Sequence, residues 1–505
     1  SFPRPRWPAT GAAMFPEFTL RFARLPERFY LRFDPVPVPE PRLVAFNRPL
    51  AETLGFDLDA FDESRAAQWF SGNRVPQGAE PLAQAYAGHQ FGHFNPRLGD
   101  GRAVLLGEVT DREGHLRDIQ LKGAGMTPFS RGADGRAPLG PVLREYLVSE
   151  AMHRLGVPTT RALAAVTSGE RLFRRVPEPG AVLTRVAASH LRVGTFQYFA
   201  AREDVEAVRM LAEMAIERHY PGLLTATQGE GERYLALLEA VADRQAALVA
   251  KWMGLGFIHG VMNTDNCTIS GETIDYGPCA FMEAYSPTMV FSSIDEQGRY
   301  AYRNQPWIAQ WNLARFAETL LPLLDDDQEA AVAKASEVIR RYEPQYEAEW
   351  LAVMRTKLGL EQAEEGDREL VEALLEAMRA GRADFTLTFR RLSEALEQDA
   401  PALFELFETG DGLAAWLPRW RDRLARESAD AGAIAARMNG VNPLYIPRNH
   451  QVERVIAAAA EHDDFGPFET LRDVLAEPFT EQPGREEYAR AAPSTERVFR
   501  TFCGT

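Results

Sequence analysis

Lysine is scarce in this sequence of 505 residues. Lysine and arginine together number 56, and only four are lysine, which leaves 52 arginines. The four are Lys122, Lys251, Lys334 and Lys357. A coding bias toward arginine explains the ratio, but a compact ammonium and a planar guanidinium are not equivalent at a tight binding site. Each remaining lysine is therefore a candidate functional residue.

Cysteine and long apolar runs are also rare. The three cysteines, Cys267, Cys279 and Cys503, form no Cys-x-x-Cys pair, which excludes a zinc ribbon and a disulfide framework and suits a reducing compartment. The absence of about 18 consecutive apolar residues argues against a transmembrane helix. Residues 1–13 lack the apolar core of a signal peptide, and we interpret them as a tag remnant or an upstream extension before Met14.

Basic residues are fewer than acidic residues in this sequence. Asp and Glu number 72, so the formal net charge is −16, which argues against nonspecific binding to DNA or to anionic membranes. Apolar residues make up 45% and charged residues 25%, as in ordinary globular proteins. The length suggests about three domain-sized units.

Hydrophobic periodicity predicts a β-rich region followed by a helical one. Residues 16–41 are interpreted as an extended arm, and 42–54 and 63–71 as short helices. Strands are predicted at 102–109, 117–123, 161–167, 171–176 and 181–187. A helix over 139–156 interrupts them, and Gly140 and Pro141 suit its start.

From about residue 193 the pattern is mostly helical, except for a short β-rich stretch over 256–281. Helices are predicted at 203–218, 231–254, 307–323, 327–357, 366–380 and 385–398. This order predicts an α+β fold resembling that of protein kinases, with a β-rich lobe containing one key helix and a mostly helical lobe. The expected domains are an arm over 1–80, lobes over 81–190 and 191–325, and a helical extension over 326–505.

A kinase-like nucleotide site requires glycines near phosphate and a lysine held by a helical glutamate. Gly99 and Gly101 precede a predicted strand, although Gly-Asp-Gly is also an ordinary turn. Lys122 ends the next strand, and Glu145 lies on the following helix. We therefore predict that Lys122 and Glu145 form an ion pair facing the phosphates.

The segment HGVMNTDN (259–266) has the spacing of a small-molecule-kinase catalytic loop. Asn266 and, nine residues later, Asp275 of the segment IDYG are oxygen ligands that suit Mg²⁺. The position of the kinase base holds Val261, which cannot accept a proton, whereas a carboxylate stands at Asp265. Either phosphoryl transfer is lost, or Asp265 serves a different reacting phosphorus.

Further residues extend the candidate site. Arg185 ends a strand and Arg192 precedes a helix, so both could hold phosphate oxygens. Asp134 and Gly135 belong to a second glycine-rich turn. His89 and His93, four residues apart, could place two metal ligands on one helix face, but Gly88 and Gly92 weaken that helix and structural packing is the favoured interpretation.

Most of the candidate residues, though not Glu145, Arg185 and Arg192, belong to long, unusual segments, and in these segments the chain resembles the SelO family of protein adenylyltransferases, a pseudokinase group. The resemblance covers about residues 17–505. The segments are FARLPERFY (22–30), AYAGHQFGHF (85–94), LGDGRAVLLGE (98–108), QLKGAGMTPFSRGADGRA (120–137), HGVMNTDN (259–266), DYGP (275–278), YRNQPWIAQWNLARFAETLLPLL (302–324) and NPLYIPRNH (442–450).

The resemblance implies transfer of AMP from ATP, bound flipped relative to kinases, to Ser, Thr or Tyr hydroxyls of proteins. It implies Asp265 as the general base, and Asn266 and Asp275 as Mg²⁺ ligands. The implied contacts to ATP are Gly99, Gly101, Arg102, Lys122, Asp134, Gly135, Arg185, Arg192 and Asp275. With the composition, it leads us to expect a monomer in the bacterial cytoplasm that binds neither nucleic acid nor membrane.

A cysteine near the C-terminus is also common in the family, and Cys503 fits that place. In some members it pairs with a second cysteine after the D-Y-G segment; Cys279 is a doubtful equivalent, and the segment FSSIDEQGRY (291–300) has serines where a partner would be expected.

Three other interpretations stay open: a conventional phosphotransferase, a non-catalytic nucleotide-binding scaffold, and a transferase of UMP that uses Mn²⁺.

Overall fold

The computed structural model describes residues 14–502, so residues 1–13 and Cys503 lie outside the described part. The chain divides into two compact units. The first comprises the described residues up to Ala85, together with Gly99–Val142 and Ala162–Ser189; the second comprises Tyr86–Leu98, Leu143–Arg161 and residues from His190 onward. Within the described range, no helix combines the length and apolarity needed to cross a membrane.

Twelve strands are present in the described part of the chain. They are β1 (Tyr30–Arg32), β2 (Arg42–Phe46), β3 (Leu82–Gln84), β4 (Gly88–Gln90), β5 (His93–Asn95), β6 (Ala103–Thr110), β7 (Leu116–Lys122), β8 (Ala137–Pro138), β9 (Arg161–Phe173), β10 (Pro177–Ala187), β11 (Phe257–Ile258) and β12 (Ala280–Phe281).

An eight-stranded sheet organises the first unit, in the order β1-β3-β6-β7-β10-β9-β2, with β8 beside β10. The strand pairs β6–β7, β7–β10 and β2–β9 are antiparallel. The predicted strands at 102–109 and 117–123 are confirmed as β6 and β7. The two predicted strands at 161–167 and 171–176 are instead parts of one long strand, β9, which extends to Phe173.

Sixteen α-helices fill the rest of the described chain. They are α1 (Arg48–Thr53), α2 (Glu63–Phe70), α3 (Leu139–Arg154), α4 (Val193–Ala200), α5 (Val205–His219), α6 (Leu223–Ala226), α7 (Glu230–Leu255), α8 (Gln305–Leu324), α9 (Gln328–Lys357), α10 (Asp367–Ala380), α11 (Phe385–Arg391), α12 (Pro401–Phe404), α13 (Asp411–Leu424), α14 (Ala431–Val441), α15 (Asn449–His462) and α16 (Gly466–Leu475).

The predicted helix over 42–54 is wrong in its first half. Residues Arg42–Phe46 form strand β2, whose partner residues in β9 lie more than a hundred positions later in the chain. Asn47 then begins α1, because its side-chain oxygen accepts the Leu50 N–H at 3.2 Å. The short apolar run RLVAF has no feature of its own that separates strand from helix.

The core of the first unit lies between the sheet, α1, α2 and the N-terminal arm. Ile119 and Leu121 of β7 are fully buried there, as the alternation in the sequence predicts. The arm adds Phe15 and Phe18, and the Thr19 N–H donates to the Glu108 carbonyl oxygen of β6 at 2.7 Å. The arm is therefore part of the packed core, and it is extended only in part, because it includes the 3₁₀ turns Phe22–Arg24 and Glu27–Phe29 before strand β1.

In the second unit, the long helices α7, α8 and α9 pack together, and the short strands β11 and β12 pair with each other. The loop between these two strands, residues 259–279, contains the predicted catalytic segment. The predicted β-rich stretch over 256–281 therefore contains one short antiparallel strand pair among the helices, but most of its residues form a loop rather than strands. Asp327 caps α9 by accepting the Ala330 N–H at 3.0 Å, which confirms the predicted helix start.

The end of the chain returns to this unit. Thr501 forms a parallel bridge with Ser292, and its hydroxyl donates to the Pro278 carbonyl oxygen. The Ser293 N–H donates to the Thr501 carbonyl at 2.9 Å, and the Thr501 N–H donates to that of Phe291 at 2.8 Å. The described chain therefore ends against the serine segment in which a partner for the C-terminal cysteine was expected.

Candidate active site

The first glycine-rich turn of the first unit is locked to the loop that follows β7. Gly99 has a φ of 68°, and a Cβ atom there would lie 2.3 Å from Cγ of Phe129. Thr127 Oγ1 donates to the Asp100 carbonyl at 2.5 Å, and the Ser130 hydroxyl donates to that of Gly101. Only glycine allows the ring of Phe129 so close to the backbone.

The second glycine-rich turn closes on the same loop. The Gly125 N–H donates to the Gly135 carbonyl at 3.0 Å, and a Cβ atom at Gly135 would lie 2.1 Å from the Gly125 carbonyl oxygen. Asp134 accepts two hydrogen bonds from Arg174, each of 2.9 Å. Arg174 lowers the pKa of Asp134, so this carboxyl group is held ionised at the turn.

Lys122 and Arg185 lie on one face of the sheet. Lys122 is the last residue of β7, and Arg185 in β10 stands opposite Gln120, two residues before Lys122. The Arg185 guanidinium is buried and donates to Gln120 Oε1 at 2.8 Å. Arg102 immediately precedes β6, and its carbonyl accepts the Gly123 N–H at 2.7 Å. Two cations thus lie on one sheet, and the glycine-rich turns lie in the loops beside its strands.

In the second unit, His259 fixes the catalytic segment. Its Nε2 donates to the Ile274 carbonyl at 2.7 Å, which ties the loop to the residue before Asp275. Gln305 Oε1 accepts the His259 N–H at 3.0 Å, and the Trp252 ring stacks on the imidazole at 5.4 Å. Burial lowers the pKa of His259, so it serves here as a neutral structural group.

Asp265 is buried at the centre of this loop, within the 3₁₀ turn Thr264–Asn266. Burial raises its pKa to about 7, against the opposing effect of the Arg192 guanidinium. Gln90 Nε2 donates to Asp265 Oδ2 at 3.4 Å. The other oxygen, Oδ1, finds no hydrogen-bond partner among the described residues.

Asn266 and Asp275 have the donor atoms that a magnesium ion requires. Asn266 Nδ2 donates to the Val261 carbonyl at 2.9 Å, which orients the amide and leaves its oxygen for a ligand. Asp275 has a φ of 63°, a conformation that costs energy for a residue with a side chain and is retained mainly where structure or function requires it. These hard oxygen donors fit Mg²⁺ completed by phosphate oxygens.

Burial is the main cause of the pKa shifts of Asp265 and His259, and the charge of Asp275 acts on both groups by raising their pKa. Across the described residues, no group of three or more His, Cys, Asp or Glu side chains could hold a metal ion by itself. A metal ion here would therefore depend on Asn266, Asp275 and the phosphates of the nucleotide.

Arg192 and Glu145 also lie in the second unit. Arg192 precedes α4, is buried, and stacks its guanidinium on the Tyr86 ring at 4.3 Å. Glu145 is buried on α3. Burial raises the pKa values of Tyr276, within the D-Y-G segment, and of Cys279, and the charge of Glu145 adds to both shifts. Lys122 belongs to the other unit, so its pairing with Glu145 stays a prediction.

The histidines of the segment AYAGHQFGHF do not share a helix face. His89 and His93 lie on the two strands of the β4–β5 hairpin, where His89 is opposite Phe94. His89 Nδ1 accepts a hydrogen bond from Gln197 at 2.8 Å, and its backbone N–H donates to Thr264 Oγ1 at 2.7 Å. The favoured interpretation, structural packing, agrees with these contacts.

Two glycines and one glutamine beside Asp265 were missed by sequence reasoning. A Cβ atom at Gly88 would lie 2.5 Å from Asp265 Oδ1, and one at Gly194 would lie 2.1 Å from the Ala87 carbonyl oxygen. Gln90 touches the carboxyl group directly. The only available signal was the unusual glycine- and aromatic-rich composition of residues 85–94.

The predicted site residues thus form two sets. In the first unit the structure holds Gly99, Gly101, Arg102, Lys122, Asp134, Gly135 and Arg185 on the sheet and its turns. In the second unit it holds Glu145, Arg192, Asp265, Asn266 and Asp275.

Comparison with known proteins identifies relatives along nearly the whole chain. The sequence profile described as "Protein adenylyltransferase SelO" matches residues 13–476. A protein of Cereibacter sphaeroides named "Protein nucleotidyltransferase YdiU" is 63% identical over 490 residues, which cover 97% of this chain and 99% of that protein. Proteins of the same name from Rhizobium etli and Agrobacterium fabrum are 60% and 58% identical, with coverage of 98% and 97% of this chain and 98% and 100% of theirs.

Proposed function

The chain belongs to the SelO family of protein adenylyltransferases and is a nucleotidyltransferase, and we propose that it transfers AMP from ATP to Ser, Thr or Tyr hydroxyl groups of proteins. The protein kinase-like two-lobed arrangement, and the flipped position of ATP within it, are part of this proposal.

The observation that carries the proposal is the position of Asp265, the carboxylate that immediately precedes the proposed ligand Asn266 in the sequence. Asp265 stands four residues after Val261, the place of a kinase base, and keeps one carboxylate oxygen free of hydrogen bonds within the described chain. Arg192 faces the same carboxyl group. A base displaced from its kinase position suits a phosphorus other than the γ-phosphorus.

Asp265 is the proposed proton acceptor. The acceptor hydroxyl loses its proton to Asp265 as its oxygen bonds to the α-phosphorus of ATP. The bond between that phosphorus and the bridging oxygen to the β-phosphorus breaks, and pyrophosphate leaves with the electron pair. The products are a phosphodiester-linked AMP on the protein, pyrophosphate, and a proton on Asp265.

Asn266 and Asp275 are the proposed ligands of Mg²⁺, and the bound ion would neutralise charge on the phosphate oxygens. The donor set fits this role because Asn266 is oriented by its hydrogen bond to Val261 and because Asp275 is held in a left-handed conformation. Because both side chains would bind the same ion, removing either one should abolish the metal-binding role of both.

The nucleotide contacts proposed in the first unit are cations and glycines. Lys122 and Arg185, on one face of the sheet, would bind the phosphates as pyrophosphate departs, with Glu145 holding Lys122. Gly99, Gly101, Arg102, Asp134 and Gly135 would line the nucleotide, and Arg192 would add a cation near the reacting phosphate.

The decisive experiment measures the transfer of label to protein by Asp265→Ala and by the wild type, using ATP labelled at either the α- or the γ-phosphate. We expect the wild type to transfer α-label to protein, and Asp265→Ala to lose about a hundredfold or more of that rate while binding ATP with a similar Kd. Asp326→Ala, which removes an exposed carboxylate elsewhere, is the matched control and should retain full activity.

The other outcomes would each contradict the proposal in a distinct way. Retained α-labelling by Asp265→Ala would exclude Asp265 as the base. Transfer of γ-label by the wild type would indicate a conventional phosphotransferase, and ATP binding without any transfer would indicate a scaffold. Faster labelling from UTP with Mn²⁺ than from ATP with Mg²⁺ would indicate a UMP transferase.

A further inference from the structure

Two of the unusual segments, 85–94 and 302–324, supply none of the proposed ligands of the nucleotide or the metal ion, and the structure brings them together. The hairpin β4–β5 packs against the segment around Tyr300 and against α8. The Phe91 ring lies 5.0 Å from that of Tyr300, and the Phe91 N–H donates to the Tyr300 hydroxyl oxygen at 3.1 Å. The His89 ring meets the edge of Trp311 at 5.1 Å.

The contact centres on an aromatic–arginine cluster, which we define as His89, Phe94, Arg299, Trp311 and Arg315. The guanidinium carbons of Arg299 and Arg315 lie 4.9 Å and 4.7 Å from the centre of the Trp311 ring. The His89 ring lies 4.9 Å from that of Phe94. Stacking on an aromatic ring holds a guanidinium in a fixed orientation, with its N–H edge still able to bind an anion.

The two arginines differ in their charge partners. Arg315 forms an ion pair with Glu318 at 2.8 Å. Arg299 forms none with any carboxylate in residues 14–502. The buried Nε–H groups of both arginines have no hydrogen-bond partner in that range. Asp295, four residues before Arg299, is already engaged, because it accepts the backbone N–H groups of Arg299 and Tyr300 at 2.9 Å and 2.8 Å. The side-chain charge of Arg299 is therefore left for another anion.

The cluster adjoins the proposed base. Gly88 lies against Asp265, and the next residue is His89 of the cluster. The Tyr300 hydroxyl donates to Asn263 Oδ1 at 2.6 Å in the catalytic segment, and the negative charge of Asp265 affects Tyr300. A group bound at Arg299 would therefore be close to a hydroxyl group that approaches Asp265.

The surface beside the cluster is open. Phe94 is 41% exposed, and so is Trp307, one helical turn before Trp311 on α8. Exposed aromatic side chains next to a half-buried arginine are typical of protein-binding surfaces. A positive group at this place is notable in a chain with a net charge of −16.

We propose that the aromatic–arginine cluster is an acceptor subsite, in which Arg299 binds the carboxylate of an acidic residue close to the modified hydroxyl group of the protein substrate. This inference rests on the proposed adenylyltransferase function and adds a preference for the acceptor sequence. The Arg299 guanidinium would bind the carboxylate through paired N–H donors, and Phe94 and Trp307 would contact the neighbouring apolar part of the acceptor.

The test uses the full-length protein and synthetic peptides with a central Ser, Thr or Tyr. In each peptide set, one flanking position at a time holds Asp, Asn or Arg, and the rate of transfer from α-labelled ATP is measured as kcat/KM for peptide. We expect the wild type to prefer Asp over Asn by about tenfold at one flanking position, the effect of one charge-assisted hydrogen-bonded pair. The KM for ATP should not depend on this choice.

Substitutions at Arg299 then identify the partner. Arg299→Gln should remove the preference for Asp but leave the rate on the Asn peptide within a factor of about two, and Arg299→Glu should transfer the preference to the Arg peptide at the same position. Arg340→Gln, on an exposed face of α9, is the matched control and should behave as the wild type. Intrinsic tryptophan fluorescence checks that each variant is folded.

Binding of fluorescent Asp and Asn peptides, measured by anisotropy, separates this inference from the proposed function. Labelling without an acidic preference, or a preference that persists in Arg299→Gln, would overturn the subsite. Selective binding of the Asp peptide that Arg299→Gln abolishes would support the subsite even if no peptide received α-label, and the absence of label would then count against the proposed function alone. If no peptide received label and none bound selectively, both the subsite and the proposed function would be overturned.

Discussion

Gly88 lies directly against the carboxyl group of Asp265. A Cβ atom at Gly88 would approach Asp265 Oδ1 to 2.5 Å and Asp265 Cβ to 2.9 Å. The backbone of Gly88 is not in the left-handed region, so the requirement for glycine here is steric. The hairpin β4–β5 and the 3₁₀ turn Thr264–Asn266 can meet only because this position has no side chain.

Gly88→Ala should therefore displace Asp265 without unfolding the protein. A shift of about 1 Å at a reacting group costs on the order of a hundredfold in rate, and we expect a loss of kcat of that size. The measurement is the initial rate of transfer from α-labelled ATP, with thermal unfolding as a check. Gly222→Ala is the control, because a Cβ atom there meets nothing within 4 Å. Full activity of Gly88→Ala would show that the site tolerates the displacement.

Arg144 connects α3 to two other parts of the second unit. Its Nη2 donates to the Cys279 carbonyl at 2.6 Å and to Asn449 Oδ1, at the start of α15, at 3.3 Å. Arg144→Ala would leave a buried carbonyl without its donor, so we expect the free energy of unfolding to fall by about 2–4 kcal/mol. Urea denaturation measures this change.

Arg144 also precedes Glu145, so the same variant should weaken ATP binding if Glu145 holds Lys122 as proposed. Arg154→Ala, at the exposed end of α3, is the matched control and should change neither stability nor the Kd for ATP by much. Equal stability of Arg144→Ala and the wild type would contradict the structural role given to Arg144.

Lys357 is buried at the end of α9, with its ammonium 4.4 Å from the centre of the Phe389 ring. Burial lowers its pKa to about 7, below the ordinary value of about 10.4. Between these values the unfolded chain binds a proton that the folded chain does not, so this residue makes unfolding less favourable as the pH rises. Below pH 7 its destabilising effect is complete and constant.

Lys357→Met should therefore be more stable than the wild type near pH 7, and the advantage should shrink as the pH rises toward 10. We expect the difference in the free energy of unfolding to change by about 1 kcal/mol per pH unit, as measured by urea denaturation at pH 7, 8 and 9. Lys334→Met removes an exposed lysine paired with Asp325 and is the control, with little change over this range. A pH-independent difference for Lys357→Met would mean that Lys357 is charged in the folded protein.

The C-terminal bridge makes a prediction about local stability. Deletion of residues 499–505 removes the Thr501 carbonyl that accepts the Ser293 N–H at 2.9 Å. Hydrogen exchange at the Ser293 amide should accelerate at least tenfold, because its acceptor and the neighbouring pairing are lost. The Tyr300 amide, which donates to Asp295 at 2.8 Å, serves as an internal control. Unchanged exchange at Ser293 would show that the bridge contributes no protection.

Periodicity in the sequence was sufficient for the long elements. Strands β6 and β7 and helices α3, α7, α8 and α9 were predicted because each contains a repeated apolar pattern of sufficient length. Strand β2 was misassigned because its identity depends on pairing with β9, a contact distant in sequence. Short segments of this kind take their structure from partners that local sequence does not reveal.

The same reasoning explains the result at the site. Asp265, Asn266 and Asp275 could be identified by spacing, since they lie within one hairpin loop. Gly88 and Gln90 could not, because they reach Asp265 from a hairpin about 175 residues earlier in the chain. Only the fold shows that Arg299 and Trp311, part of no recognised catalytic motif, are neighbours of that hairpin.

The scarcity of lysine has a practical consequence now that all four positions are known. Lys122 ends β7, Lys251 lies within α7, and Lys334 and Lys357 lie within α9. A protease that cleaves only after lysine needs a locally unfolded segment, and none of the four lysines lies in a loop of the native protein. Its rate of cleavage would report the opening of these three elements, and ATP should slow cleavage after Lys122 more than cleavage in α9 if the nucleotide binds as proposed.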